Sequence, residues 1–171
     1  RTVAYAVKSS DHDAPATRSG FMSSGVPGHA GGGEIWITEI PGGETRVLTP
    51  DWGSSWCPRW SPDGKHLAYV MRDVRSELRE KNRKRGFKPV VVDEDWVGTS
   101  LWLLNMQTGE STRLTKGGAV NSFEWSQDGS KIAAGISPRN LVDDRYMFSR
   151  LHVVRPFDTP PSVKKLVDNP G

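Results

Sequence analysis

Apolar residues in this chain come in short segments rather than long stripes. Val3-Ala4-Tyr5-Ala6-Val7, Ile35 to Ile40, Trp56 to Trp60, His66 to Met71, Leu101 to Met106 and Ile132 to Ile136 are each short enough for one strand. They mix β-branched and aromatic residues with polar neighbours, as half-buried strands do. Turn residues stand between them. Pro41-Gly42-Gly43, Ser61-Pro62-Asp63-Gly64 and Gln107-Thr108-Gly109 combine preset and positive φ angles that reverse a chain. Thr45 to Leu48 and Ser111 to Leu114 then return as hairpin partners. No segment keeps a helical period long enough to build a core, so the class predicted is all-β.

The segments repeat. Arg59-Trp60-Ser61-Pro62-Asp63-Gly64-Lys65-His66-Leu67-Ala68-Tyr69 returns as Glu124-Trp125-Ser126-Gln127-Asp128-Gly129-Ser130-Lys131-Ile132-Ala133-Ala134. Glu34 to Ile40 returns as Ser100 to Met106, and Gly43 to Thr49 as Gly109 to Thr115, at offsets of 65 or 66 residues. Val3-Ala4-Tyr5 matches Leu67-Ala68-Tyr69, and Leu151 to Val154 and Val163 to Val167 match Leu101 to Leu104 and Thr112 to Thr115. Repetition of a whole strand set means one supersecondary unit stacked on its copies. Four antiparallel strands per unit are the blades of a β-propeller. About three blades are expected: 1–50 lacking its first strand, 51–117 with a basic insertion at 72–89, and 118–171. A closed ring takes about four to eight blades, so the ring is incomplete. The expectation is a piece of a longer protein, with its native start lost ahead of Arg1. Arcs from several chains closing one ring are the alternative. Alone, such an arc is expected to self-associate through its open faces.

At Trp60-Ser61-Pro62-Asp63-Gly64-Lys65-His66-Leu67-Ala68-Tyr69-Val70 the chain resembles the propeller repeat shared by TolB and the prolyl oligopeptidase (S9) serine peptidases. Leu101-Trp102-Leu103-Leu104-Asn105, Thr108-Gly109-Glu110 and Arg113-Leu114-Thr115 strengthen the likeness. The long insertions between second and third strands, with Ser76 to Gly86 and Val91 to Asp95, resemble acylaminoacyl- and dipeptidyl-peptidase-like members. That resemblance implies a propeller over the mouth of a C-terminal α/β-hydrolase domain, restricting it to short peptides. The catalytic residues would then lie outside this chain. The alternative is a TolB-like propeller that binds a protein and catalyses nothing. A propeller lyase would need a metal-binding His cluster, which the sequence does not offer.

Composition modifies this little. Hydrophobic content is 35%, with 18 Gly and 12 Pro, which suits many short strands and tight turns. A net charge of +3 makes no case for a nucleic-acid partner. No apolar run approaches the roughly 20 residues of a membrane span. Cys57 is alone, so the compartment stays open between cytoplasmic and periplasmic or secreted.

The chemistry-bearing residues read as architecture. No Gly-x-Ser-x-Gly elbow occurs, and Ser23-Ser24-Gly25 sits in the long Ser/Gly loop 11–33. His12 and His29, with Asp11 and Asp13, lack metal-ligand spacing. His66 and His152 fall in strands. Asp63 and Asp128 recur in turns, where a short carboxylate bonds nearby backbone. Trp36, Trp60, Trp102 and Trp125 recur by unit and are expected between sheets. Trp52 and Trp56 break the pattern, so one is a candidate channel-lining residue. Arg72 to Lys88 holds eight Lys/Arg, but Glu77-Lys81 and Glu80-Lys84 are spaced for a solvated helix. Asp93-Glu94-Asp95 follows closely enough to neutralise part of it, and Asp143-Asp144-Arg145 is a second charged insertion of the same exposed kind. No catalytic, cofactor or metal residue is assigned, and no cofactor is expected.

Overall fold

The computed structural model describes residues 2–8, 33–48, 55–73 and 96–167. They form the strands β1 (Thr2–Lys8), β2 (Gly33–Glu39), β3 (Thr45–Val47), β4 (Ser55–Trp60), β5 (His66–Arg72), β6 (Thr99–Asn105) and β7 (Ser111–Arg113). β8 (Ala119–Trp125), β9 (Ile132–Ser137), a short helix α1 (Val142–Met147), β10 (Arg150–Arg155) and β11 (Ser162–Lys165) complete the order. The expected helix in 72–89 and the strand Val90 to Val92 lie outside the described residues, apart from Arg72 and Asp73.

Strand pairing follows the repeat. β1, β2 and β3 make one antiparallel ladder. β4 to β7 pair consecutively, and so do β8 to β11. One parallel bridge, Thr99 opposite Ala119, joins β6 to β8 and makes these two ladders a continuous sheet. Among the described residues the sheets do not close on themselves. Both β4 and β8 carry a register shift, between Trp56 and Arg59 and between Val120 and Ser122. A bulge of this kind sharpens the local twist.

Side chains alternate across a strand, so a strand with both faces covered is apolar throughout. β5 is such a strand. Ala68 and Val70 face a core cluster with Leu101, Leu103, Leu114, Val120, Ile132 and Val154. Leu67, Tyr69 and Met71 face a second cluster with Ile35 and Leu104. The middle ladder is therefore covered by the other two. The final ladder is covered on one face only. Leu151 takes the register place of Leu101 but is 46% exposed, and Leu166 is exposed beside it.

Candidate functional site

Two ends of the sheets carry different chemistry. At one end the repeated turns meet. Ser61 N–H donates to His66 O at 2.9 Å and Gly64 N–H to Ser61 O at 2.9 Å. Gly64 has φ +69°, and Gly129 in the matching turn has φ +70°, a region that favours glycine. Ser61 Oγ accepts from His66 N at 3.0 Å and donates to Asp63 Oδ1 at 2.6 Å, while Lys65 N–H donates to the same oxygen at 3.1 Å. In the second turn Ser126 Oγ accepts from Lys131 N at 2.9 Å and donates to Asp128 Oδ1 at 2.6 Å. Ser130 N–H and Oγ also donate to Asp128, at 3.0 and 2.8 Å. Hydrogen bonds to the ionised form favour it. The serine hydroxyls thus hold both carboxyls below the usual range, Asp128 at about 2. Acids so held stay ionised and donate no proton near neutrality. Asp63 and Asp128 are turn pins, as expected.

Phe157, in the β10–β11 turn, lies across this end. Its ring meets His66 edge-on at 5.0 Å and stacks on Trp125 at 6.4 Å. His66 is therefore packed in an aromatic contact rather than set beside a nucleophile. His152 Nδ1 lies 2.9 Å from Arg150 O.

The other end carries the connections 74–98 and 138–149 and a polar cluster. Arg113 Nη2 donates to Asp73 Oδ1 at 2.8 Å, and Ser100 Oγ donates to the same oxygen at 2.7 Å. Arg113 Nη2 and Nε also donate to Ser100 Oγ, at 2.7 and 3.1 Å, and Nε to Thr115 O at 2.9 Å. Asp73 N–H donates to Gly98 O at 2.8 Å, so the cluster ties both ends of the 74–98 connection together. Among the described residues Ser100 has a carboxylate and a guanidinium as partners and no imidazole. Alongside, Asn121 Nδ2 donates to Ser137 Oγ at 3.2 Å and Ser149 Oγ at 3.3 Å.

In the second connection Arg139 Nε and Nη2 donate to Asp144 Oδ2 and Oδ1, both at 2.8 Å. The guanidinium holds the Asp144 carboxyl below its ordinary range. Asp144 is 2% exposed, which corrects its reading as part of a solvated charged insertion. The reason is pairing: a bidentate Arg partner lets a carboxylate leave water. Asp143 remains exposed as expected.

The tryptophans are partly as expected. Trp60 and Trp102 pack against the second core cluster and Trp125 against the first. Trp36 is half-buried and donates to Glu34 Oε2 at 3.2 Å. Trp56 packs against the first cluster beside Cys57, whose thiol burial pushes up. It is partly buried there, and the described sheets do not close round a channel that it could line. Trp52, His12, His29, Asp11, Asp13, Ser23 to Gly25 and Asp93 to Asp95 lie outside the described residues. Among the described residues no group of three His, Cys, Asp or Glu side chains is placed to hold a metal. Nor is any helix among them long and apolar enough to cross a membrane.

The Asp73–Ser100–Arg113 cluster was not legible in the sequence. Arg113 stands where the first unit has Val47, so the repeat carries no sign of it.

No protein-family model matches the sequence, and no curated protein is significantly similar to it. Solved structures are similar in fold. A protein assigned as TolB from Agrobacterium tumefaciens matches at TM-score 0.53 and 22% identity, over 84% of this chain and 40% of its own. TolB from Acinetobacter baumannii matches at TM-score 0.50 and 19% identity, over 83% of this chain and 28% of its own. An acylaminoacyl peptidase from Pyrococcus horikoshii matches at TM-score 0.41 and 20% identity, over 62% of this chain and 13% of its own, too loosely to carry an argument. The mostly β chain thus has the fold of TolB-like propellers, and it spans well under two thirds of either TolB structure. At these identities the likeness concerns the fold and not the activity.

Proposed function

We propose that the chain is an arc of a β-propeller, with blades at 1–50, 51–117 and 118–171, that gates substrate access in an S9-type serine oligopeptidase or exopeptidase. The chain itself carries no Gly-x-Ser-x-Gly elbow, and a C-terminal α/β-hydrolase domain of the same protein would hydrolyse short peptides. The observation that carries this reading is the long connection between second and third strands in each unit. The last of them, 138–149, carries α1, held at its base by the Arg139–Asp144 pair. Its exposed Val142, Tyr146 and Met147 give a surface able to meet a neighbouring domain.

A second reading is a TolB-like propeller that binds a protein without catalysis. The two TolB structures similar in fold favour it. Both readings are tested on the full reading frame with a fluorophosphonate serine-hydrolase probe. Labelling that vanishes when a downstream elbow serine is changed to Ala supports the peptidase reading. No labelling, with no hydrolase domain following, supports the TolB-like one.

A further inference from the structure

His66 and Phe157 make a contact that the repeat does not account for. His66 opens β5, and Lys131 stands in its place in the last unit. Phe157 lies in the β10–β11 turn, and Gln107 stands in its place in the turn between β6 and β7. Neither ring therefore belongs to the recurring turn. The two meet edge-on at 5.0 Å where the middle and last ladders adjoin, and Phe157 also stacks on Trp125 at 6.4 Å. Trp125 Nε1 in turn donates to Arg59 O on β4 at 3.2 Å. Phe157 is 53% exposed, so the His66 and Trp125 rings supply much of its cover.

His66 is half-buried, and its Nδ1 is fully buried with no hydrogen-bond partner. A neutral imidazole can keep its proton on Nε2 and leave Nδ1 as a lone pair, whereas an imidazolium carries N–H on both nitrogens. Protonation in this seat would bury a charged donor with nothing to accept from it, which costs more than a neutral unpaired group. The charged groups nearby do not supply the acceptor. In the preceding turn, Asp63 is engaged by Ser61 Oγ and Lys65 N–H, and Lys65 is itself a cation. Asp63 attracts charge on the ring, but it is exposed and water screens it. Asn105, opposite His66 on β6, is neutral. On the side of Trp125, Glu124 pairs with Arg59 at 3.6 Å, Asp128 is engaged by Ser126 and Ser130, and Lys131 is a cation. Beside Phe157, Arg155 is a cation and Asp158 accepts from Ser162 Oγ.

We propose that His66 and Phe157 form a proton-sensitive latch between the middle and last ladders. The neutral ring seats Phe157 over Trp125. Uptake of one proton from water at Nδ1 turns the imidazole out of the contact, frees the β10–β11 turn and uncovers Trp125. Histidine is suited to this, since its charge changes between about pH 5 and 8. The sign follows from which form packs: the contact is present while the ring is neutral and is lost as pH falls through its titration. The opening is local, because the Thr99–Ala119 bridge and the core of Leu101, Leu103, Val120 and Val154 still join the ladders. The inference rests on neither activity proposed above, so the serine-hydrolase result leaves it unchanged.

The test is an NMR titration of the whole chain from about pH 8 to about pH 5. It follows the ring contacts between His66 and Phe157 and the indole signal of Trp125. The expected result is loss of the ring contacts and a shift of Trp125 with the profile of a single proton, while the Leu101 and Val154 methyl signals stay in place. His66→Phe keeps an uncharged ring and should hold the contact throughout. Phe157→Ala should give, already at the alkaline end, the Trp125 signal that the unaltered chain reaches at the acid end. Ring contacts that survive at the acid end would overturn the proposal, as would the same Trp125 transition in either variant. Loss of the core methyl signals together with the contact would also overturn it, since the fold and not a latch would then be responding.

Discussion

Arg113 and Asp73, 40 residues apart in sequence, meet at 2.8 Å with Ser100 bonded to both. The pair sits at the mouth of the 74–98 connection, with side-chain exposures of 32% and 21%. At that depth the charges are partly desolvated, so the contact is stronger than a surface ion pair. Arg113→Ala is expected to lower the unfolding free energy by about 2 kcal/mol. In a double-mutant cycle by urea denaturation, Arg113→Ala and Asp73→Ala should be strongly non-additive. Simple additivity would mean the two groups are not coupled.

Leu101 and Leu151 occupy the same register place in successive ladders, one covered and one open. Leu101→Ala should cost about 2–5 kcal/mol, as for a large-to-small change in a core. Leu151→Ala should stay within about 1 kcal/mol, because its methyl groups already meet water. Equal losses in thermal unfolding would show that the Leu151 face is covered in solution.

Gly118 and Gly109 have nearly the same positive φ, +74° and +73°. A Cβ on Gly109 meets nothing within 4 Å, but one on Gly118 would lie 2.6 Å from Ser137 O. Gly109→Ala should therefore cost about 1–2 kcal/mol from backbone conformation alone. Gly118→Ala should cost clearly more, since the Thr99–Ala119 bridge must shift. Denaturation midpoints of the two variants give the comparison.

Asp128 titrates at about 2, below the usual 3.8 of an unpartnered aspartate. With the folded value depressed, the stability it confers is present above the unfolded value and lost as pH falls toward 2. Ser126→Ala removes the strongest of its hydrogen bonds, and the carboxyl should move back up. An NMR titration in which Ser126→Ala leaves Asp128 unmoved would reject the hydroxyl as the cause.

The repeated Trp-Ser-x-Asp-Gly turn was legible because its geometry is local. Gly supplies the left-handed angle, and Ser and Asp bond backbone within five residues of themselves. The order of strands was legible for a related reason: each apolar segment and turn recurs at a fixed offset, and consecutive antiparallel strands need only short turns. Sequence alone thus determined an all-β repeat and the structural part played by Asp63 and Asp128. What the tertiary structure decided depends on contacts between units, which no local pattern encodes. It buried Asp144 against Arg139 and packed Trp56 against the edge of the first core cluster. It placed Arg113 on Asp73, and it gave Trp125 an acceptor in the preceding ladder while leaving its counterpart Trp60 without one. Identical residues in identical turns differ there because their neighbours across the packed sheets differ.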